Sequence, residues 1–283
     1  MAAAIAGAGG KISLLGITEN SGQTQLILDA LKRGKQVLDD KKIDSELINK
    51  SGEPIDQIVK WTTEVPYDLV LIGAIRKGRR GPFWMSSKAY KIVKSIRPPV
   101  LIVMGENVTI KKILICSGGK KQIENAVTLA GSLARELQAA VTLFHVMPEA
   151  PLVYTNLRRE EEDVDLLLAS TSELGRNLRH EMEALEKAGI PTDVHLRQGI
   201  VLKEIFKEIR QGHYDLVVTG SSLSSGALQT YVMGDVTREI VNRANLPVLI
   251  VRSVDHPPGI RESIKNFLHQ LADTFDEEKP PVK

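Results

Sequence analysis

An α/β fold built from two doubly wound parallel sheets is what this sequence predicts, and three observations predict it. The chain repeats itself. Asp68-Leu69-Val70-Leu71-Ile72-Gly73 returns as Asp215-Leu216-Val217-Val218-Thr219-Gly220 at an offset of 147 residues. Pro99-Val100-Leu101-Ile102-Val103 returns as Pro247-Val248-Leu249-Ile250-Val251 at an offset of 148. Two apolar segments recurring in one order, with nearly one spacing, mark a duplicated unit. Strand-like runs also alternate with helix-spaced runs, which calls for parallel strands joined by right-handed crossovers. Finally, the runs are apolar almost throughout, as strands covered on both faces must be. A length of 283 residues agrees with two units of about 150 residues each.

The second copy shows its elements in order. Lys112-Ile113-Leu114-Ile115-Cys116 is a short apolar run stopped by Ser117-Gly118-Gly119, a strand entering a tight turn. Ala126, Ala130, Leu133, Ala134 and Leu137 then keep helical spacing, and Val141 to Val146 reads as the next strand. Leu174, Leu178, Met182 and Leu185 mark a helix closed by Gly189 and Pro191. Val194-His195-Leu196 is a strand, and Leu202, Ile205, Phe206 and Ile209 give the i, i+3, i+4, i+7 stripe of an amphipathic helix. Strand 215–219, a Gly/Ser loop, helix 236–244 and strand 247–251 complete the unit, over residues 110–254.

The first copy, residues 11–106, aligns from its second strand onward: Ile12 to Ile17 matches Val141 to Val146 at an offset of 129, whereas Ile43 matches Ile190 and Gly52 matches Gly199 at 147. The step of 18 is an insertion in the second copy at 150–167, where Arg158, Arg159, Glu160, Glu161, Glu162 and Asp163 read as a solvated loop and helix start. Consecutive acids point in different directions around a helix, so they do not converge on a metal. Ahead of Ile12 stands an Ala/Gly-rich leader, residues 1–10, so the first copy lacks an opening strand and helix here. The opening strand of a doubly wound sheet is usually central. Either the first half packs as a shortened sheet or the chain begins upstream of Met1. In the tail 255–283, Ile260, Ile264, Phe267, Leu268, Leu271 and Phe275 form an apolar stripe at helical spacing, fit to dock on the protein's own core or on a protein partner or second copy.

The totals exclude several classes. Net charge is +2 and aromatic content 4%, with 16 Lys and Arg against 11 Asp and Glu in residues 1–106, too mild a bias and too little stacking capacity for nucleic-acid binding. The single cysteine, Cys116, can form no intramolecular disulfide. No apolar run approaches the ~18 residues of a membrane span, and Met1 to Gly7 lacks the basic and apolar regions of a signal peptide. A cytoplasmic protein without a membrane partner is expected. None of the histidines at 145, 180, 195, 213, 256 and 269 has the HExxH spacing, and neither Gly-x-Ser-x-Gly nor GxxxxGK[ST] occurs. His145 reads as a hydrogen-bonded strand residue, and Cys116 as a buried structural thiol rather than a reactive one. No metal site is expected.

Three pieces together resemble the universal stress protein family in tandem arrangement: Lys112 to Gly119 with its Ala-rich helix and Val141-Thr142-Leu143-Phe144-His145-Val146; Asp215 to Ser222; and Gly234-Asp235-Val236-Thr237-Arg238-Glu239-Ile240-Val241 leading into Leu246 to Val251. The resemblance covers 110–254, with a truncated counterpart over 11–106. It implies a fold shared with adenine-nucleotide-binding domains, and an intramolecular pseudo-dimer in which the last strands, 99–103 and 247–251, meet. Some members bind ATP. They carry an Asp at the end of the first strand, a Gly-x-x-Gly loop after the fourth, and nine residues later a Gly followed by Ser or Thr. The glycines let backbone amides approach phosphates at the next helix's positive end.

Carried over residue by residue, the resemblance places a nucleotide site at Ser117, Gly118, Val146, Gly220, Ser221, Ser222, Gly226, Gly234 and Asp235. It also shows where this chain departs. The first strand ends in Ser117-Gly118 with no Asp, Leu223 stands at the second loop glycine, and Asp235 replaces the Ser or Thr after Gly234. Asp235 is expected to cap helix 236–244 and to put a carboxylate where a phosphate would sit, and like charges disfavour each other. The first copy offers a different anion site, Arg76, Lys77, Arg79 and Arg80 with Ser86 and Ser87 in the places of the later Gly and Ser. The expected function is therefore a non-enzymatic stress-response protein with a degenerate nucleotide site. The alternatives are an ATP sensor using the loop 220–235, and an enzyme of nucleotidyl transfer or hydrolysis on the same fold.

Overall fold

The computed structural model describes residues 1–7, 10–76, 83–84, 86–104, 109–118, 124–147, 164–223, 231–232 and 234–252. The first copy contains α1 (Ala2–Ala6), β1 (Lys11–Thr18), α2 (Thr24–Asp39), β2 (Asp44–Ser51), α3 (Pro54–Glu64), β3 (Val70–Gly73), β4 (Ile75–Arg76), β5 (Phe83–Trp84), α4 (Ser87–Ser95) and β6 (Val100–Val103). The second contains β7 (Lys112–Ser117), α5 (Glu124–Leu137), β8 (Ala140–Met147), α6 (Val164–Ala169), α7 (Glu173–Lys187), β9 (Thr192–Gln198), α8 (Val201–Gly212), β10 (Leu216–Leu223), β11 (Tyr231–Val232), α9 (Asp235–Arg243) and β12 (Val248–Arg252). The Ala/Gly leader holds the short helix α1. Of the insertion, only α6 and its surroundings fall among the described residues. The acidic run 158–163 and the tail stripe 260–275 lie outside them.

Local chemistry explains the boundaries. Pro54 opens α3, with its missing N–H at a position that has no helical partner, while the Glu53 carboxylate accepts from the N–H groups of Ile55 at 2.6 Å and Asp56 at 3.3 Å. Ser86 caps α4 by accepting from Ala89 N at 3.1 Å, and Ser172 caps α7 by accepting from Gly175 N at 3.0 Å. The stripe of α7 buries Leu178 and Leu185 completely. Its stop at Gly189 uses a positive φ of 75°, a conformation that glycine adopts without strain.

The second copy is a continuous parallel sheet of order β9-β8-β7-β10-β12. Its central strand β7 pairs with β8 from Lys112↔Ala140 to Ser117↔His145, and with β10 from Ile113↔Leu216 to Ile115↔Val218. The Asp215 carboxylate accepts from the N–H groups of Lys111 at 2.8 Å and Lys112 at 2.9 Å, pinning the start of β7 to the foot of β10. The first copy is split: β3 and β6 form one parallel pair, β1 and β2 another, and these two pairs share no ladder. β12 runs antiparallel to β6, with Leu249 opposite Leu101, so one sheet crosses from the second copy into β6 and β3.

Two apolar clusters cover the faces of that sheet. One joins Val93, Ile96, Val100 and Ile102 of the first copy to Phe144, Phe206, Ile240 and Val248 of the second; the other joins Leu101 to Ile113, Ile115, Leu143, Leu185 and Leu249. The buried Arg252 guanidinium donates to the carbonyls of Val93 and Ile96 at the end of α4, the latter at 3.2 Å. Asn125 at the start of α5 donates to Arg252 O at 3.2 Å. The end of β12 is thus held by helices of both copies. No helix among the described residues is long and apolar enough to cross a membrane.

Candidate functional site: the strand ends of the second copy

The expected nucleotide site lies where β7, β8 and β10 end and α9 begins. Ser117 closes β7 and is buried, and its carbonyl accepts from the Nδ1–H of His145 on β8 at 2.8 Å. A carbonyl only accepts, so Nδ1 of His145 carries the proton. Burial holds His145 below the ordinary imidazole range, with the bond to Ser117 opposing it, so the ring is neutral and fixes the end of the two strands. Val146, next on β8, is buried beside it. Gly118 follows β7 at the surface.

Across β10, a buried hydroxyl pair sets the position of α9. Thr237 Oγ1 donates to Gly220 O at 2.9 Å and lies 3.0 Å from Thr219 Oγ1. Each hydroxyl has one proton, so Thr219 donates to Thr237, and the chain of bonds clamps the first turn of α9 to the end of β10. The sequence reading missed Thr237. The available signal was a threonine two residues inside a helix opposite a threonine in an apolar strand.

The structure corrects the role of Asp235. The cap position belongs to Gly234, which supplies no side-chain cap bond, and Asp235 is the first residue of the helix, exposed to solvent. Its carboxylate interacts favourably with the helix's positive end, a contribution of about 0.5 kcal/mol at such exposed positions. A Cβ built on Gly118, Gly220 or Gly234 meets no described atom within 4 Å. Backbone at all three positions therefore borders open space among the described residues. Ser221 and Ser222 continue β10, and Gly226 lies outside the described residues.

In the first copy, Ser86 spends its hydroxyl on the α4 cap, and Ser87 is the exposed first helical residue. Lys88 in the first turn of α4 forms ion pairs with Glu19 after β1 and with Glu53 at 3.9 Å, so this cation is already matched by two carboxylates. Arg76 belongs to β4, while Lys77, Arg79 and Arg80 lie outside the described residues.

Cys116 sits one residue from the site and packs against the apolar cluster that contains Phe144. Burial first, and the charge of Glu208 second, push its thiol up to about 12. At pH 8 almost no thiolate forms, so alkylation by iodoacetamide is expected to run about 100-fold slower than for a free cysteine. Timed mass spectrometry of the intact chain checks this, and labelling at the free-thiol rate would refute it. No group of three or more His, Cys, Asp or Glu side chains stands together to hold a metal among the described residues.

A further polar cluster was not foreseen. The Glu208 carboxylate on α8, only 3% exposed, accepts from His195 Nδ1 at 2.8 Å, Tyr214 Oη at 2.8 Å, and Arg197 Nε and Nη2 at 2.9 and 2.6 Å. Four donors on one carboxylate tie edge strand β9 to the helix that follows it. β8 separates this cluster from Ser117.

The sequence model of the universal stress protein family matches residues 10–104 and again 109–252. A universal stress protein of Methanocaldococcus jannaschii is 26% identical over 170 residues, spanning 60% of this chain and 95% of its own length. The Bacillus subtilis universal stress protein YxiE is 27% identical over 146 residues, spanning 50% of this chain and 98% of its own. Among solved structures, a universal stress protein from Archaeoglobus fulgidus superposes with a TM-score of 0.67 at 17% identity, covering 89% of this chain and 93% of that one. A Pseudomonas aeruginosa structure described as a putative universal stress protein superposes at 0.58 and 16% identity, covering 93% and 97%. Both copies match the same family, and the folds agree along most of the length: this chain belongs to the universal stress protein family, with two family segments in tandem.

Proposed function

We propose that this chain is a non-enzymatic, regulatory stress-response protein that acts through protein contacts, and that the nucleotide site of its second copy is disabled. The observation that carries the reading is Asp235, an exposed carboxylate on the first residue of α9 and beside the uncapped Gly234. A triphosphate entering there would bring like charge against like charge at the amides that should receive it. Ser117, standing where ATP-binding relatives carry an aspartate, removes the acceptor for the adenosine moiety. No metal-holding group among the described residues and no catalytic motif in the sequence supports an enzymatic reading.

A second reading, an adenine-nucleotide sensor, is favoured by one specific observation. Gly118, Gly220 and Gly234 all border open space, as a backbone cradle for phosphates requires. Isothermal titration of ATP, with and without magnesium, separates the two. The native chain is expected to give no heat at millimolar ATP. Asp235→Ser is expected to gain affinity by about tenfold or more, roughly 1.4 kcal/mol. Micromolar binding by the native chain would overturn the disabled-site reading and make the protein a sensor.

A further inference from the structure

The duplication repeats a hairpin as well as the sheet strands, and the two hairpins are exchanged. β4 pairs with β5 through Ile75↔Trp84 and Arg76↔Phe83, and the end of β10 pairs with β11 through Ser222↔Val232 and Leu223↔Tyr231. The matched residues stand 147 and 148 apart, the same offsets as the duplicated strands. Each hairpin leads into the last helix of its own copy, α4 or α9. Each also rests on the last helix of the other copy: β5 lies against α9, and β11 lies against α4.

α4 spans the two copies. Its start belongs to the first, where Ser86 caps it and Lys88 pairs with Glu19 and Glu53. Its end is held by the second. The last carbonyls of a helix have no partner within it, and the Arg252 guanidinium donates to Val93 O and Ile96 O there. Ala89, Ile92, Val93 and Ile96 of α4 share one apolar cluster with Val248 and Ile250 of the second copy. At 1.5 Å per residue, the hydrogen-bonded turns between Ser87 and Ser95 make a stiff rod of about 13 Å.

Arg252 also ties together the strand ends of the second copy. It is registered against Ser221 of β10, next to the Gly220↔Val251 pair. Gly220 O is the acceptor that holds Thr237 and the first turn of α9, and Arg252 O accepts from Asn125 at the start of α5. The end of β10, the start of α5 and the start of α9 therefore all connect to the residue that grips α4. The first copy has no equivalent grip. At the offset of 148, the counterpart of Arg252 is Met104, a buried thioether with no N–H to give to the end of α9.

We propose that α4 is a regulatory link through which the strand ends of the first copy set the geometry of the strand ends of the second, by way of Arg252 and β11. A load on the start of α4 reaches the other copy because the helix is stiff and both of its ends are bonded. The link goes beyond the disabled-site reading and holds whether or not a nucleotide binds. Coupling of this kind is reciprocal in free energy.

The test is hydrogen exchange by mass spectrometry on the full chain, comparing the native protein with Ser86→Ala, which removes the α4 cap. Amides at 219–223 and 250–252 are expected to exchange about threefold faster, along with α4 itself. Ser86→Asp keeps a capping oxygen and is expected to restore the native rates. Ser172→Ala removes the matching cap from α7, inside the second copy, and is expected to leave 219–223 and 250–252 unchanged. Faster exchange confined to α4 and the first copy overturns the proposal. So does an equal response to Ser172→Ala, or a uniform rise that reaches Ile113–Ile115 and Leu143, since the cap would then act on the stability of the whole fold.

Discussion

Glu208→Ala is expected to lower the midpoint of thermal unfolding by about 6–12 °C, the effect of about 3 kcal/mol on a domain of this size. Removing the carboxylate leaves the Arg197 guanidinium, 25% exposed in its side chain, with the neutral Gln211 Oε1 at 2.9 Å in place of its charged partner, and leaves Tyr214 Oη and His195 Nδ1 without their shared acceptor. The loss is set at the lower end of the buried-pair range because Arg197 and His195 keep partial access to water. The damage is expected where β9 meets α8. Pairing Glu208→Ala with Arg197→Leu is expected to recover part of the loss, since the unpaired charge then disappears. Thermal melts of the single and double variants, read by circular dichroism, check this. Simple additivity in the double variant would show that Arg197 and Glu208 are not coupled.

The second large effect has the opposite sign. Glu181 on α7 is 3% exposed, and its Oε2 finds no hydrogen-bond partner among the described residues. Burial, and to a lesser degree the nearby charge of Glu124, raise its carboxyl from 4.5 to about 8. Below pH 4.5 the folded and unfolded chains both carry this proton, and the group is neutral toward stability. As pH rises from 4.5 to about 8 the unfolded chain loses the proton first, so stability falls steadily through that window. Glu181→Gln is therefore expected to stabilise the protein by about 3 kcal/mol at pH 8 and by almost nothing near pH 4. Urea unfolding of both proteins at the two pH values measures it. A gain that does not grow with pH would show that the carboxylate is already solvated.

Glu208 titrates the other way. Burial alone would raise it, but the bonds from His195, Arg197 and Tyr214 outweigh that and hold it below the ordinary carboxylate range. Its contribution is present above the unfolded value and is lost as pH falls through the folded one. The two glutamates therefore weaken the protein in opposite pH directions, Glu181 as pH rises toward about 8 and Glu208 as pH falls through its lowered value.

Particular residues show why some of this was legible and some was not. The duplicated runs Leu69–Gly73 and Leu216–Gly220 are contiguous and apolar, so their strands and the doubly wound class could be read directly. The stripe Leu174, Leu178, Met182, Leu185 and the Gly189-Pro191 stop located α7 because periodicity and punctuation are local properties. Asp235 was misplaced by one position because an aspartate beside a glycine suits either the cap or the first turn. The Thr219–Thr237 clamp and the four bonds on Glu208 were invisible. Each joins residues 6–18 apart in sequence through side chains that carry no motif.

Residue order determined the fold class, the duplication and the family, because hydrophobic spacing and turn chemistry act over a few residues and are written in line. Tertiary structure alone decided that β12 lies antiparallel to β6, that Arg252 bonds the end of α4, and that β1 and β3 belong to separate sheets. Those are relations between segments far apart in the chain. Their outcome depends on which faces and edges find partners once all the elements compete for the same core.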